Sequence, residues 1–215
     1  MAEEAASTSV DARPKRVDAR RNKQALLEAA AAVFVSSGVN APVRAIAAEA
    51  GVGMGTIYRH FPTRSELVVA VYRHQVEACA AAGPSLLAQL PSARSALERW
   101  ADLFVDFLVT KHGLAGALQN NDAGFASLHE YFVDRLVPVC AMLLDAAAAE
   151  HAVEETVSAL DLMRGIGNLC IGASDDTPYD ARRLVQLLIA GVLAPAPQSS
   201  IAVASTSTST SGSKR

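Results

Sequence analysis

Thr56, Tyr58, Arg59 and His60 crowd a hydroxyl, a phenol, a guanidinium and an imidazole into one short stretch, directly after the run Gly51-Val-Gly-Met-Gly. These groups are hydrogen-bond donors and a fixed cation, and they suit contacts to base edges and phosphates rather than covalent catalysis. The glycine run superficially suggests a nucleotide-binding loop. No strand precedes it, no Lys-Ser/Thr follows it, and Thr56 occupies the last glycine position of a Gly-x-Gly-x-x-Gly pattern, so that reading fails. A hydrolase nucleophile elbow is also missing, since the chain has no Gly-x-Ser-x-Gly. The expectation is a binding protein without a cofactor, not an enzyme.

Such a group of donors needs a rigid mount, and the flanking apolar positions supply one. Ile46, Ala47 and Ala50 share a helical face, while Val52 and Ile57 offer the opposing surface. Ala47 is small enough for close approach, and Gly51 suits a turn residue with positive φ. Upstream, Leu27, Ala30 and Phe34 recur at i, i+3 and i+7, which makes a roofing helix that Gly38 is placed to end. Downstream, Thr63 and Glu66 have the spacing of a capping box at the start of a further helix. The spacing therefore predicts a three-helix head containing a helix-turn-helix, whose second member is shaped for a major groove.

From about Leu26 to Leu67 the chain resembles the N-terminal domain of the tetracycline-repressor-like (TetR/AcrR) transcriptional regulators. The resemblance rests on Phe34, Gly38, Ile46-Ala47, Ala50-Gly51-Val52, Gly55-Thr56, Tyr58, Phe61 and Glu66-Leu67 in that order and spacing. It implies an all-α homodimer that binds double-stranded operator DNA, pairs through its last two long helices and responds to a small-molecule effector. It also implies operator contacts at Gly55, Thr56, Tyr58, Arg59 and His60, with Arg44 on a phosphate. Met54 joins Thr56, Tyr58 and Arg59 as an expected reader of sequence, and the Gly55 and Thr56 amides are expected to meet phosphate at the helix start. Two positions depart from the family pattern: Pro42 stands where a threonine is usual, and Gly53 where a serine or similar cap is common. Proline suits a first helical turn and glycine is an acceptable N-cap, so the fold is expected to persist without those two side-chain phosphate contacts.

Charge supports the same end of the molecule. From Asp11 to Arg64 nine Lys and Arg residues face four Asp and Glu, a balance of +5, which leaves −8 for the rest of a chain whose total is −3. A basic head on an acidic body is expected where only one end faces phosphate. Arg20, Arg21 and Lys23 run into the first helix and are placed to touch backbone or a minor groove. The expected organisation is a flexible basic arm at 1–19, the DNA-binding domain at 20–64, a helical ligand-binding and dimerisation domain at 65–195, and a disordered Ser/Thr-rich tail at 196–215.

In the body, helices are expected from Leu67 to about Ala81, ending at Gly83-Pro84; from Ala93 to Lys111; over a short element from Gly113 to about Asn121; from Phe125 to about Glu150 with a kink or break near Val137; and over 154–173 and 179–193. Trp100, Phe104, Phe107, Phe125, Phe132, Met142 and Met163 are candidate walls of an effector cavity, and His129, Asn168, Gln119 and Asn120 are candidate polar anchors. His74, His112, His129, His151 and the three cysteines show no prominent i, i+4 ligand spacing, so no metal site is expected. Cys79, Cys140 and Cys170 are expected to be buried thiols. No apolar run is long enough to cross a bilayer and no signal peptide precedes the head, which predicts a cytoplasmic protein without membrane contact. The rival expectation is a helical ligand-binding or interaction module whose head no longer binds DNA.

Overall fold

The computed structural model describes residues 12–118, 122–150, 157–171 and 179–194, with the backbone alone described at 12–20, 109–118 and 122–126. Among the described residues the regular elements are α1 (Ala12–Ser37), α2 (Val43–Glu49), α3 (Met54–His60), α4 (Arg64–Gln89), α5 (Ala93–Leu118), α6 (Asp122–Ala149), α7 (Ala159–Cys170) and α8 (Ala181–Val192), all helical. The tail at 196–215, the first eleven residues, Gln119, Asn120 and His151 lie outside the described residues.

The head forms as its apolar spacing predicts. Leu26, Leu27, Ala30, Ala31, Val33 and Phe34 of α1 are buried, together with Ile46 and Ala47 of α2 and Ile57 of α3. Gly38 and Gly51 adopt φ of 73° and 64°, the left-handed region where a Cβ is costly. At the end of α2, the Val52 N–H donates to Ala47 O at 3.0 Å and the Gly51 N–H to Ala48 O at 3.3 Å. That 6→1 and 5→2 pairing is a Schellman motif, and it aims the chain directly into α3. Thr63 and Glu66 form both halves of the expected capping box on α4.

Four expected boundaries are corrected. α1 begins at Ala12, so residues 12–19, expected within the arm, are helical. α4 runs through Gly83-Pro84 to Gln89 instead of ending there. Pro84 costs one backbone hydrogen bond, but it is exposed, and the Ser85 hydroxyl donates to Ala81 O at 3.0 Å beside it. Gly83 meanwhile is buried against Val139 of α6, so this stretch of α4 packs closely on α6. α5 likewise continues to Leu118, absorbing most of the short element expected at 113–121. α6 runs without a break through Pro138, and the Asp134 carbonyl that loses its donor belongs to an exposed residue.

α4, α5 and α6 pack against one another, with α7 on α5 and α6 and α8 on α5 and α7. Trp100, Phe104, Leu97, Leu136, Leu143 and Ile166 form the fully enclosed centre of this body. Long-range polar contacts close its ends. The Glu150 carboxylate accepts the Ala93 N–H at 2.9 Å and 3.0 Å, capping α5 from across the chain. Arg94 donates to Leu193 O at 2.9 Å, and Arg182 pairs with Asp102 at 3.6 Å and with Asp106. Tyr179 reaches Leu169 O at 2.7 Å, joining the approach to α8 to the end of α7.

Candidate nucleic-acid interface and body cavity

α3 has one inward anchor, Ile57, which is 1% exposed. Its outward surface carries Met54 and Tyr58, each 50% exposed, with Arg59 and His60 exposed beside them and Thr56 half-buried. Gly53 is the N-cap in extended conformation, with no side-chain cap. The Thr56 N–H closes the first turn onto Gly53 O at 2.9 Å. This corrects the expectation for Thr56: its amide is used within the helix, so it offers its hydroxyl, while Gly55 is exposed and open to close approach. Pro42 likewise is the N-cap of α2, one position before the helical turn expected for it.

The head carries further cations on α1 and α2. Arg21, Lys23 and Arg44 are exposed, and Lys23 Nζ lies 5.6 Å from the Phe61 ring centroid. Arg20 lies on α1 with its side chain outside the described part. Among the described residues no ion pair engages Arg21, Lys23, Arg44 or Arg59, whereas Arg94, Arg135 and Arg182 of the body are all paired with carboxylates. These four cations of the head are therefore available to an external polyanion, and several of the body's are not.

A second concave feature, a cavity of about 530 Å³, opens between α5, α6 and α7. Of the residues expected at an effector site, Phe104, His129, Phe132, Met163 and Asn168 line it. Phe104, fully enclosed, forms its floor, and His129 stacks on Phe132 at 6.0 Å near its mouth. Trp100, Phe107 and Met142 are not among the residues that line this cavity. Trp100 instead donates from Nε1 to Cys79 O at 3.0 Å and stacks on Phe104 at 5.3 Å. Phe107 meets Tyr72 edge-on at 5.7 Å, and Met142 lies against the Gly83 contact. The Phe125 side chain lies outside the described part. Sequence reasoning missed Glu130, Asp134, Leu160, Arg164 and Ile171 on the same walls. The only available signal was the recurrence of 160, 164, 167 and 171 along one face of α7, which is indistinguishable from a core stripe until its neighbours are known.

Cys79 and Cys140 are buried and their thiols are pushed up to about 12, by burial in both cases and, for Cys79, by the nearby Cys140 as well. They are therefore thiols at neutral pH and poor nucleophiles or metal ligands. Among the described residues no group of three His, Cys, Asp or Glu side chains is placed to hold a metal ion. No helix among them is long and apolar enough to cross a membrane.

Residues 26–71 match the family described as bacterial regulatory proteins, tetR family, and residues 92–194 match the transcriptional regulator SbtR-like C-terminal domain. The structure of a TetR transcriptional regulator from Streptomyces coelicolor is 34% identical, covers 80% of this chain and 98% of its own, and superimposes with a TM-score of 0.71. The chain belongs to the TetR family of transcriptional regulators. A TetR transcription regulatory protein from Mycobacterium vanbaalenii is similar at 29% identity and a TM-score of 0.66, covering 84% of this chain and 100% of its own. Likeness to an HTH-type transcriptional regulator of Staphylococcus aureus (strain USA300), 41% identical over 63 residues, is confined to 29% of this chain. That match spans about a third, 34%, of the relative's length. In this TetR-family chain the head and the helical body are thus matched separately, and the S. coelicolor structure contains both.

Proposed function

We propose that the protein is a cytoplasmic, non-enzymatic repressor that binds a palindromic operator as a two-fold dimer and releases it when a small molecule occupies the body. One observation carries the reading: Ile57 pins α3 to the head while Met54, Tyr58 and Arg59 are exposed, on a head that also exposes the cations Arg21, Lys23 and Arg44. Arg59, Thr56, Tyr58 and Met54 read base edges, and His60, Gly55, Arg20, Arg21, Lys23 and Arg44 hold backbone. Adjacent half-sites have centres one helical turn or a multiple apart.

Dimerisation through α7 and α8 is supported by the outer face of α8, where Leu187 is 62% exposed beside half-buried Leu184 and Leu188. Such a face is costly in water and suits a self-complementary contact. The cavity bounded by Phe104, Phe132 and Met163, with His129, Arg164 and Asn168 as polar groups, suits an effector with an apolar body and a polar end. To release DNA, that molecule must bind more tightly to the dimer whose heads are wrongly spaced.

The test is to select bound fragments from the source genome with purified protein and measure their retention over a salt series. Retention of fragments sharing a palindrome, weakening steeply with salt, is the expected result. Failure to retain any fragment at low ionic strength would leave a helical binding module without operator activity.

A further inference from the structure

Arg64 is the first residue of α4, next to the Thr63 cap, and in the sequence it counts among the cations of the basic head. Its side chain turns inward. Nη2 donates to Val39 O and, at 2.6 Å, to Ala41 O, both in the connection from α1 to α2. The guanidinium carbon lies 5.9 Å from the ring centroid of Phe34 on α1. Its Nε is buried without a partner, a cost that a phosphate-facing, solvated arginine does not bear.

The placement matters because of how the head is mounted. α2 packs on α1, and α3 packs on α2, while α4 packs on α1 and continues into the body. Beyond the chain link at Phe61-Pro62-Thr63, the Arg64 guanidinium joins α4 directly to the segment that leads into α2. Both bonds leave the one Nη2, whose two N–H directions are fixed by the planar guanidinium while its face lies over Phe34; a freely rotating ammonium has the hydrogens but neither the fixed directions nor the flat face.

We propose that Arg64 is a positioning residue that locks the angle between the DNA-binding head and α4, and thereby sets the half-site spacing a dimer accepts. The proposal rests on the operator-binding reading above. In a two-fold dimer each head can satisfy its half-site only if both arrive at the right separation, and one base-pair step is a displacement of about 3.4 Å. An α2–α3 pair free to swivel on α1 tolerates such a displacement; a pair whose leading segment is clipped to α4 does not.

The experiment uses the full chain, a palindromic fragment retained by the wild-type protein, and versions of it with one base pair added or removed between half-sites. Arg64→Lys keeps the charge and loses the planar guanidinium; Arg64→Gln loses both. Phe34→Leu, which keeps a buried apolar side chain of the head core but takes away the ring facing the guanidinium, serves as a third variant should Arg64→Gln fold poorly, with its melting temperature measured beside its spacing preference. The expected result is that the preference for native spacing shrinks by about tenfold in the Arg64 variants, the scale of one charge-assisted hydrogen bond, and moves the same way in Phe34→Leu. The salt slope of Arg64→Gln should equal that of the wild type. A slope lowered by about 0.9, with Arg64→Lys behaving as wild type in slope and spacing, would make Arg64 a phosphate contact and overturn the proposal. Wild-type spacing preference in all three variants would also overturn it. If the wild-type protein retains no fragment, it is the operator reading that fails, and the clip falls with it.

Discussion

Gly83 of α4 and Val139 of α6 approach so closely that a Cβ on Gly83 would lie 2.3 Å from Val139 Cγ1. Two opposed effects act on Gly83→Ala. Helix propensity favours alanine by about 1 kcal/mol, while overpacking costs about 1 to 3 kcal/mol. Valine on a helix has one strongly preferred rotamer and cannot swing clear, so the overpacking wins. Gly83→Ala should lower the melting temperature, and adding Val139→Ala should recover much of the loss. A single variant as stable as wild type would mean that α4 and α6 are not held this closely.

Arg59→Ala should reduce the discrimination between operator and random DNA by about 1 to 3 kcal/mol if the guanidinium reads a guanine edge. Competition binding at fixed salt measures it directly. Unchanged discrimination would move Arg59 from the readers to the backbone contacts.

Replacing Arg20 and Arg21 together by alanine should weaken binding to all sequences alike and flatten the salt dependence by about 0.9 for each phosphate the protein no longer neutralises. An unaltered slope would show that this part of α1 does not touch DNA.

Glu77 of α4 accepts from Arg135 at 2.7 Å and 2.6 Å, and from the Tyr131 hydroxyl at 2.5 Å, both on α6. The paired Arg135 guanidinium, and then the phenol, hold its carboxyl well below the usual range, at about 2. Because the folded value lies below the unfolded one, the clip contributes fully above the ordinary carboxylate range and is lost as pH falls toward 2. The pair is exposed, so its share of stability is small and salt-sensitive. Carboxyl NMR titration should find Glu77 ionised at about pH 3.5, between the lowered and the ordinary value, and Glu77→Gln should be less stable than wild type at neutral pH, with the gap closing in acid. A midpoint in the ordinary range would mean that the clip does not persist in solution.

How much was legible follows from the range of the interactions involved. The head was readable because its determinants are local: Gly51 supplies a left-handed turn, Ile46, Ala47 and Ile57 face each other within twelve residues, and Thr63 caps α4 three positions from Glu66. Where helices end in the body was not. Pro84 and Pro138 are local stop signals, and they are overridden because burial between α4, α5 and α6 outweighs one missing hydrogen bond at an exposed position. The cavity was half legible: aromatic residues marked its floor, but Arg164, Glu130 and Asp134 are ordinary surface charges until α6 and α7 are brought together.

By itself, then, the order of residues determined the helix pair, its turn and the cationic character of that end, since steric permission at glycine, helical periodicity and charge act over a few residues. Only the tertiary structure decided that Arg64 faces inward to the Val39 and Ala41 carbonyls while Arg59 stays exposed, and that Trp100 is buried with its indole N–H on Cys79 O. Those outcomes depend on which distant backbone groups arrive beside a side chain, and no local pattern of residue types encodes that.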